Sequence, residues 1–504
     1  MLLRRVMVTA SVALSSVVCA GAAAGAEPLL IRSLSEPVAL SAEHANNGRF
    51  EGLDRIGRRA DSTLDLRILL IHGMGWTQDG RSPHFGTDLM LALQRSYGVA
   101  EVGFDAKQAK CAQSDKDGKP PNYPIAGIEI RPPAKGFSFY AGDSPITPFW
   151  SQGVGCVDKT TLVVPVGKIT LYRLVWDDSF YNAYTYPLVG YDDSIRTAHE
   201  QPDPPLYSGY EDLTRYRRSG TASIRDNVLT YGIADAALYM GPVGYLMRSA
   251  VRGAICAVAN DITGRSDEFT PLMASATLST AAVVSRSEED LCRVENPQAT
   301  TAPLAIVAES LGSRMVFDVL SRDRDDVLAK KLNELPGPLL EVYLLANQIP
   351  LIAAARLQPW SPNDVLLKPP AGINKTIRYV AFSERDDLLS WELVPYFEHL
   401  YYMSCRNPTE TTRAQFGAPC TAGGPKQALL RFKATSKARL EYVNALGFEV
   451  IDVRATFSPP ISVFLRDYAN PQEAHTGYMR SDQVRRAVLC GAFEGKTNPA
   501  CATR

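Results

Sequence analysis

The 504-residue chain is short of several features that would assign it quickly. It has no charge excess: 53 basic residues face 54 acidic ones, for a formal net charge of -1. That balance gives no electrostatic reason to expect nucleic acid or an acidic polymer as partner. It has no C-x-x-C pair, which argues against zinc-ribbon and thioredoxin-like readings. Neither a cofactor nor a metal site is expected. Past the N-terminus there is no apolar run of 18 or more residues, so no membrane span is expected in the mature chain. No internal repeat or low-complexity segment stands out. Histidine is scarce, at six residues, and this narrows any search for a catalytic base.

What is present begins with a leader. Arg4 and Arg5 form a charged segment, Val6 to Ala20 an apolar one, and Ala24-Gly25-Ala26 a small-residue cleavage site. Residues 1–26 therefore read as a signal peptide cut before Glu27, with export to the periplasm or the medium and no stable membrane insertion afterwards. Removing Cys19 from the nine cysteines leaves eight. Eight cysteines allow 105 connectivities. Short loops favour Cys111–Cys156, Cys256–Cys292, Cys405–Cys420 and Cys490–Cys501, as suits an oxidising compartment.

Along the chain, 27 to about 62 reads as an irregular lead-in. Leu66–Ile71 is a buried strand broken only by Arg67, and a helical stretch follows near Leu89–Ser96. Residues 105 to about 165 are rich in Gly, Pro, Lys and Asp and read as an insertion of loops or a small hairpin. Ile169–Trp176 is another strand. Residues 177–300 read as a cap or lid, with a long apolar helical pattern over 227–260. From Pro303 strands alternate with helices: Leu304–Val307, Leu340–Ala346, Ile377–Phe382 and Phe448–Phe457 are the strands. The expectation is an α/β fold, a mostly parallel sheet with helices on both faces, its core split into 27–176 and 301–504 around the cap.

Chemistry concentrates at Ala308-Glu309-Ser310-Leu311-Gly312, a variant of G-x-S-x-G with Ala in the first small position. A sharp strand-to-helix turn presents such a serine, so the residues two before and two after it must be small. A buried strand precedes Ser310, and Leu311, Met315, Val316, Val319 and Leu320 follow at helical spacing. His72-Gly73-Met74-Gly75 follows the first strong strand, where glycines permit a sharp turn. The N–H groups of Met74 and Leu311 are the candidate oxyanion donors. His72 is expected to brace its loop.

A nucleophilic serine needs a base, and the base needs a carboxylate. Among His44, His72, His84, His199, His399 and His475, the last follows the final strand amid turn-forming neighbours. His399 sits among Tyr and Phe residues and reads as packing. The acid belongs beyond a strand between serine and histidine, at Asp386 or Asp387. Asp387 is favoured because Leu388 and Leu389 could anchor its loop; Asp386 stays open.

This order of segments resembles the α/β-hydrolase superfamily, and the stretches around Asp387 and His475 look like those of bacterial esterase/lipase-like members. The resemblance covers 66–76, 169–176 and roughly 303–490; residues 27–60 and 105–165 are unmatched. It implies a serine hydrolase acting on a small-molecule or lipid-like ester through Ser310, His475 and Asp387. An acyltransferase with the same triad, or an inactive hydrolase-fold binding protein, is compatible with the same residues.

Overall fold

The computed structural model describes residues 29–36, 49–73, 85–99, 126–131, 140–141, 144–145, 154–176, 234–241, 243–264, 284–293, 302–322, 326–354, 374–406, 423–458, 460–463, 466–469, 471–493 and 496–497. The leader expected over 1–26 lies outside them, as do 177–233 of the expected cap.

A ten-stranded sheet organises the chain. Its strands are β1 (Leu30–Ser33), β2 (Leu64–Ile71), β3 (Ala126–Arg131), β4 (Gly155–Val164), β5 (Gly167–Val175), β6 (Val284–Ser287), β7 (Leu304–Glu309), β8 (Leu339–Leu345), β9 (Thr376–Glu384) and β10 (Phe448–Ala455). Their spatial order is β1-β10-β9-β8-β7-β2-β5-β4-β3-β6. The block from β10 to β5 is parallel throughout. β1 and β4 run antiparallel to their neighbours.

The sequence explains why the sheet is buried on both faces. Successive side chains of a strand point to opposite sides. Leu69 and Ile71 of β2, Ile306 and Ala308 of β7, and Val342 and Leu344 of β8 enter one apolar cluster. The residues that alternate with them, Ile68 and Leu70 of β2, Val307 of β7 and Tyr343 of β8, enter a second. Strands apolar at every position need cover on both sides. Helices α2 (Gly244–Ile262), α3 (Leu311–Phe317) and α4 (Leu393–Arg406) pack into the first cluster. Helix α1 (Phe85–Ser96) and helix α6 (Asp482–Cys490) pack into the second; the short α5 (Pro471–Thr476) precedes α6.

Three readings of the sequence change. The lead-in supplies β1, whose register pairs Leu30 with Arg454 at the sheet edge. Four residues without strong alternation gave no strand signal. The stretch 105–165 is not only an insertion: β3 and β4 extend the central sheet. The partly solvated pattern of β4, with Lys159, Thr160 and Thr161 among its middle residues, hid it. Finally, the long helix assigned to the cap is a core helix. α2 is buried over most of its circumference, and Gly253 lets it lie on β3, where an added Cβ would sit 2.6 Å from Ile130. A helix apolar nearly all round belongs in a core rather than on a lid.

Cys256 of α2 and Cys292 form a disulfide. Cys156, Cys405 and Cys490 are also disulfide-bonded; Cys111, Cys420 and Cys501, expected as their partners, lie outside the described residues. No helix among the described residues is long and apolar enough to cross a membrane.

Candidate active site

In a parallel sheet, residues that follow the strands gather along one edge. Four of the segments singled out in the sequence follow the parallel strands β2, β7, β9 and β10.

Ser310 follows β7 directly and caps α3 with φ 53° and ψ -124°. This is a conformation that side chains disfavour, at a cost of about 1–3 kcal/mol, and it persists only where the surroundings enforce it. Here they do. The Ser310 N–H donates to Leu345 O on β8 at 2.8 Å, and the Ser313 N–H donates to Ser310 O at 3.0 Å. The backbone of β2 closes in from the other side. A Cβ on Gly312 would stand 2.5 Å from His72 O and 2.7 Å from Ile71 O, and one on Gly73 would overlap Ser310 Cβ. Glycine is therefore required at 73 and at 312. At 308 the alanine methyl is fully buried in the first cluster, so this position accommodates the one carbon that departs from the motif.

His475 lies on α5, beyond β10. Its Nε2 is 2.9 Å from Ser310 Oγ. Its Nδ1 is 3.0 Å from Asp387 Oδ1 and 3.1 Å from Oδ2. An Nδ1–H donated to the carboxylate leaves Nε2 free to accept from the serine hydroxyl. Ser310 is buried and the His475 side chain is 15% exposed, so the relay meets solvent only at its edge.

The structure separates the two acid candidates. Asp387 faces His475, with its side chain wholly buried. Asp386 points away and pairs with Arg385 at 3.4 Å. The anchor differs from the one expected: Leu388 is 69% exposed. What holds Asp387 is polar. The Leu389 N–H donates to its Oδ1 at 2.9 Å, and the Tyr478 hydroxyl donates to its Oδ2 at 2.9 Å.

His72 acts as a brace. It stacks on Trp176 with ring centroids 5.2 Å apart, and the Trp176 indole N–H donates to His72 O at 3.1 Å. His72 Nδ1 lies 2.8 Å from Gly73 O. Of the candidate oxyanion donors, Leu311 is the first residue of α3, where N–H groups have no partner within the helix. Met74 lies outside the described residues. So do His44, His84 and His199. His399 is on α4, its ring 6.1 Å from that of Tyr402.

Two neighbours of the relay were not singled out in the sequence. Glu309 is buried beside Ser310. Burial pushes its carboxyl up to about 7, helped by the charges of Asp88 and Asp387 and opposed by His475 and His72. Its place in the motif gave no hint, because that position tolerates any side chain. Tyr478 is fully buried, its ring edge-on to Phe457 at 5.2 Å. The spacing His475-x-x-Tyr478 could have drawn attention to it, since residues three apart on a turn share a side.

No group of acidic, histidine or cysteine side chains suited to a metal ion occurs among the described residues. No protein-family model, curated protein or solved structure matches the chain.

Proposed function

We propose that this chain is an exported serine hydrolase of the α/β-hydrolase type, cleaving a carboxylic ester or related acyl bond. One observation carries the reading: the continuous hydrogen-bonded relay from Ser310 through His475 to Asp387, beside a serine held at φ 53°. His475 Nε2 takes the proton of Ser310 Oγ as it attacks the acyl carbon. Asp387 keeps the proton on Nδ1 and stabilises the imidazolium that forms. The oxyanion is assigned to the Leu311 N–H at the start of α3 and to the Met74 N–H. Each such donor is worth about 3–4 kcal/mol in the transition state. His475 then returns the proton to the leaving alkoxide. Water, deprotonated by the same imidazole, releases the acid and restores Ser310.

Export rests on the leader over 1–26 and is supported by the Cys256–Cys292 disulfide, a bond that persists in oxidising compartments. The direct test is covalent labelling by a fluorophosphonate, followed by turnover of a panel of p-nitrophenyl esters of increasing chain length. The wild type is expected to label on Ser310 and to hydrolyse part of the panel; Ser310→Ala is expected to do neither while folding normally. Turnover by Ser310→Ala equal to that of the wild type overturns the reading.

A further inference from the structure

The carboxylate of Asp387 is gripped from both sides, and the grip on its second oxygen comes from a side chain with no place in the acyl-transfer chemistry. Oδ1 accepts from the Leu389 N–H at 2.9 Å; Oδ2 accepts from the Tyr478 hydroxyl at 2.9 Å. The His475 Nδ1–H lies between, 3.0 and 3.1 Å from the two oxygens. Tyr478 and His475 thus reach the same carboxylate from one short stretch of chain.

The proton on the phenol has only one productive direction. A hydroxyl offers one donor and two acceptor sites. The Glu384 N–H, 2.7 Å from the Tyr478 oxygen, can only donate. An ionised Asp387 can only accept. Ser390 Oγ, at 3.1 Å, can do either and fills the remaining acceptor site as a donor. The phenol is therefore locked with its O–H on Oδ2. Burial, then the charge of Asp387, raises the phenol well above its ordinary range, so it keeps this proton at any working pH.

Resting on the hydrolase reading above, we propose that Tyr478 is a positioning residue. Its hydroxyl fixes the plane of the Asp387 carboxylate against the imidazole and drains part of the negative charge that His475 feels. A neutral donor on Oδ2 weakens the pull of the carboxylate on the Nδ1 proton. Removing it leaves a more basic and less restrained acid.

Tyr478→Phe tests this. Loss of one charge-assisted hydrogen bond predicts a fall of about tenfold in kcat/KM for a p-nitrophenyl ester. The fall is expected in kcat, with KM little changed, because Tyr478 is buried behind Asp387. The acidic limb of the kcat/KM profile is expected to move to higher pH, since a more basic carboxylate favours the imidazolium. The Nδ1 proton resonance of His475, assigned with His475→Gln, is expected to move downfield. Ser390→Ala, which leaves the phenol on Oδ2, should move neither the limb nor the resonance. A folded Tyr478→Phe whose limb and resonance both match the wild type overturns the proposal, however far its melting temperature falls. Should Tyr478→Phe fail to fold, 3-fluorotyrosine placed at 478 by nonsense suppression serves instead. It is the stronger donor, so the limb is expected to move to lower pH; an unmoved limb and resonance overturn the proposal equally. The resonance is read without turnover. A wild type that neither labels nor hydrolyses esters would defeat the hydrolase reading, and the resonance alone would then decide the hydrogen-bond role: a downfield move in Tyr478→Phe supports it and an unmoved one overturns it.

Discussion

Glu309 adjoins Ser310, and replacing it by glutamine should make the protein more stable at alkaline pH. The residue is only 7% exposed, and its carboxyl sits at about 7 against an ordinary 4.5, chiefly because burial penalises the charge. The sign follows from where the proton resides. Between 4.5 and 7 the folded protein keeps it while the unfolded chain releases it. Stability contributed by this group is therefore lost as pH rises through that window, and the penalty is complete above 7. The gap corresponds to about 3 kcal/mol. Glutamine has nearly the same shape and no charge, so Glu309→Gln removes the penalty. Its own cost, an amide in place of a protonated carboxyl, is independent of pH. The quantity to measure is thus a difference of differences. Urea unfolding of both proteins, followed by tryptophan fluorescence at pH 4 and pH 8.5, yields the stability gap at each pH. The gap is expected to favour the variant by about 3 kcal/mol more at pH 8.5 than at pH 4. Other carboxyls pushed up by burial, Glu341 to about 7 and Asp452 to about 8, cancel because both proteins carry them. A gap that does not change with pH, or that favours the wild type more as pH rises, refutes the reasoning.

Three further outcomes follow from the geometry. Asp387→Asn should lower kcat by about 10³–10⁴-fold by favouring the wrong histidine tautomer, while Asp386→Asn stays within about twofold, because that side chain touches neither Ser310 nor His475; steady-state kinetics on one ester measures both. Asp318→Ala should cost about 3–5 kcal/mol in chemical unfolding, because it strands the buried Arg314 guanidinium of α3 that Asp318 now pairs with at 2.8 Å, and also removes the acceptor of the Tyr239 hydroxyl at 2.6 Å. Replacing Cys256 and Cys292 together by alanine opens a loop of sequence separation 36 and should cost about 4 kcal/mol, measured by denaturation without reductant.

The parts of this protein that were legible in the sequence are those whose cause is local. The elbow at Ser310 needs a buried strand, a helix and small neighbours, and all of these are written within a dozen residues. The acid was not local. Asp386 and Asp387 have the same chemistry one residue apart, and the adjacent leucines gave a wrong reason for the favoured one. The carboxylate that faces His475 is fixed by the Leu389 N–H and by Tyr478, a partner 91 residues away in sequence. Strands outside the parallel block were missed for a related reason. β1 and β4 carry weak apolar alternation because one side of each sees less core, and only their register against β10 and β5 makes them strands. The helix α2 was seen as a helix but placed in a cap. Its periodic pattern reveals an element, whereas its location depends on strands the sequence had hidden.

The topology explains why chain order was informative even where contacts were not. The parallel block β10-β9-β8-β7-β2-β5 points all its strands the same way, so the residue just past each strand lands on one edge. His72 follows β2, Ser310 follows β7, Asp387 follows β9 and His475 follows β10. A separation of 165 residues in sequence thus collapses to 2.9 Å between Ser310 and His475, and this contact needs only that β7 and β10 be parallel and a few strands apart. An antiparallel pairing of either strand would have sent its following loop to the opposite edge. The site is therefore a consequence of strand direction, and strand direction is what the alternation of buried strands with helices encodes. What the alternation does not encode is the last ångström. That is set by Leu345 O on the Ser310 N–H, by Gly312 beneath His72, and by the hydroxyl of Tyr478 on the far side of the acid.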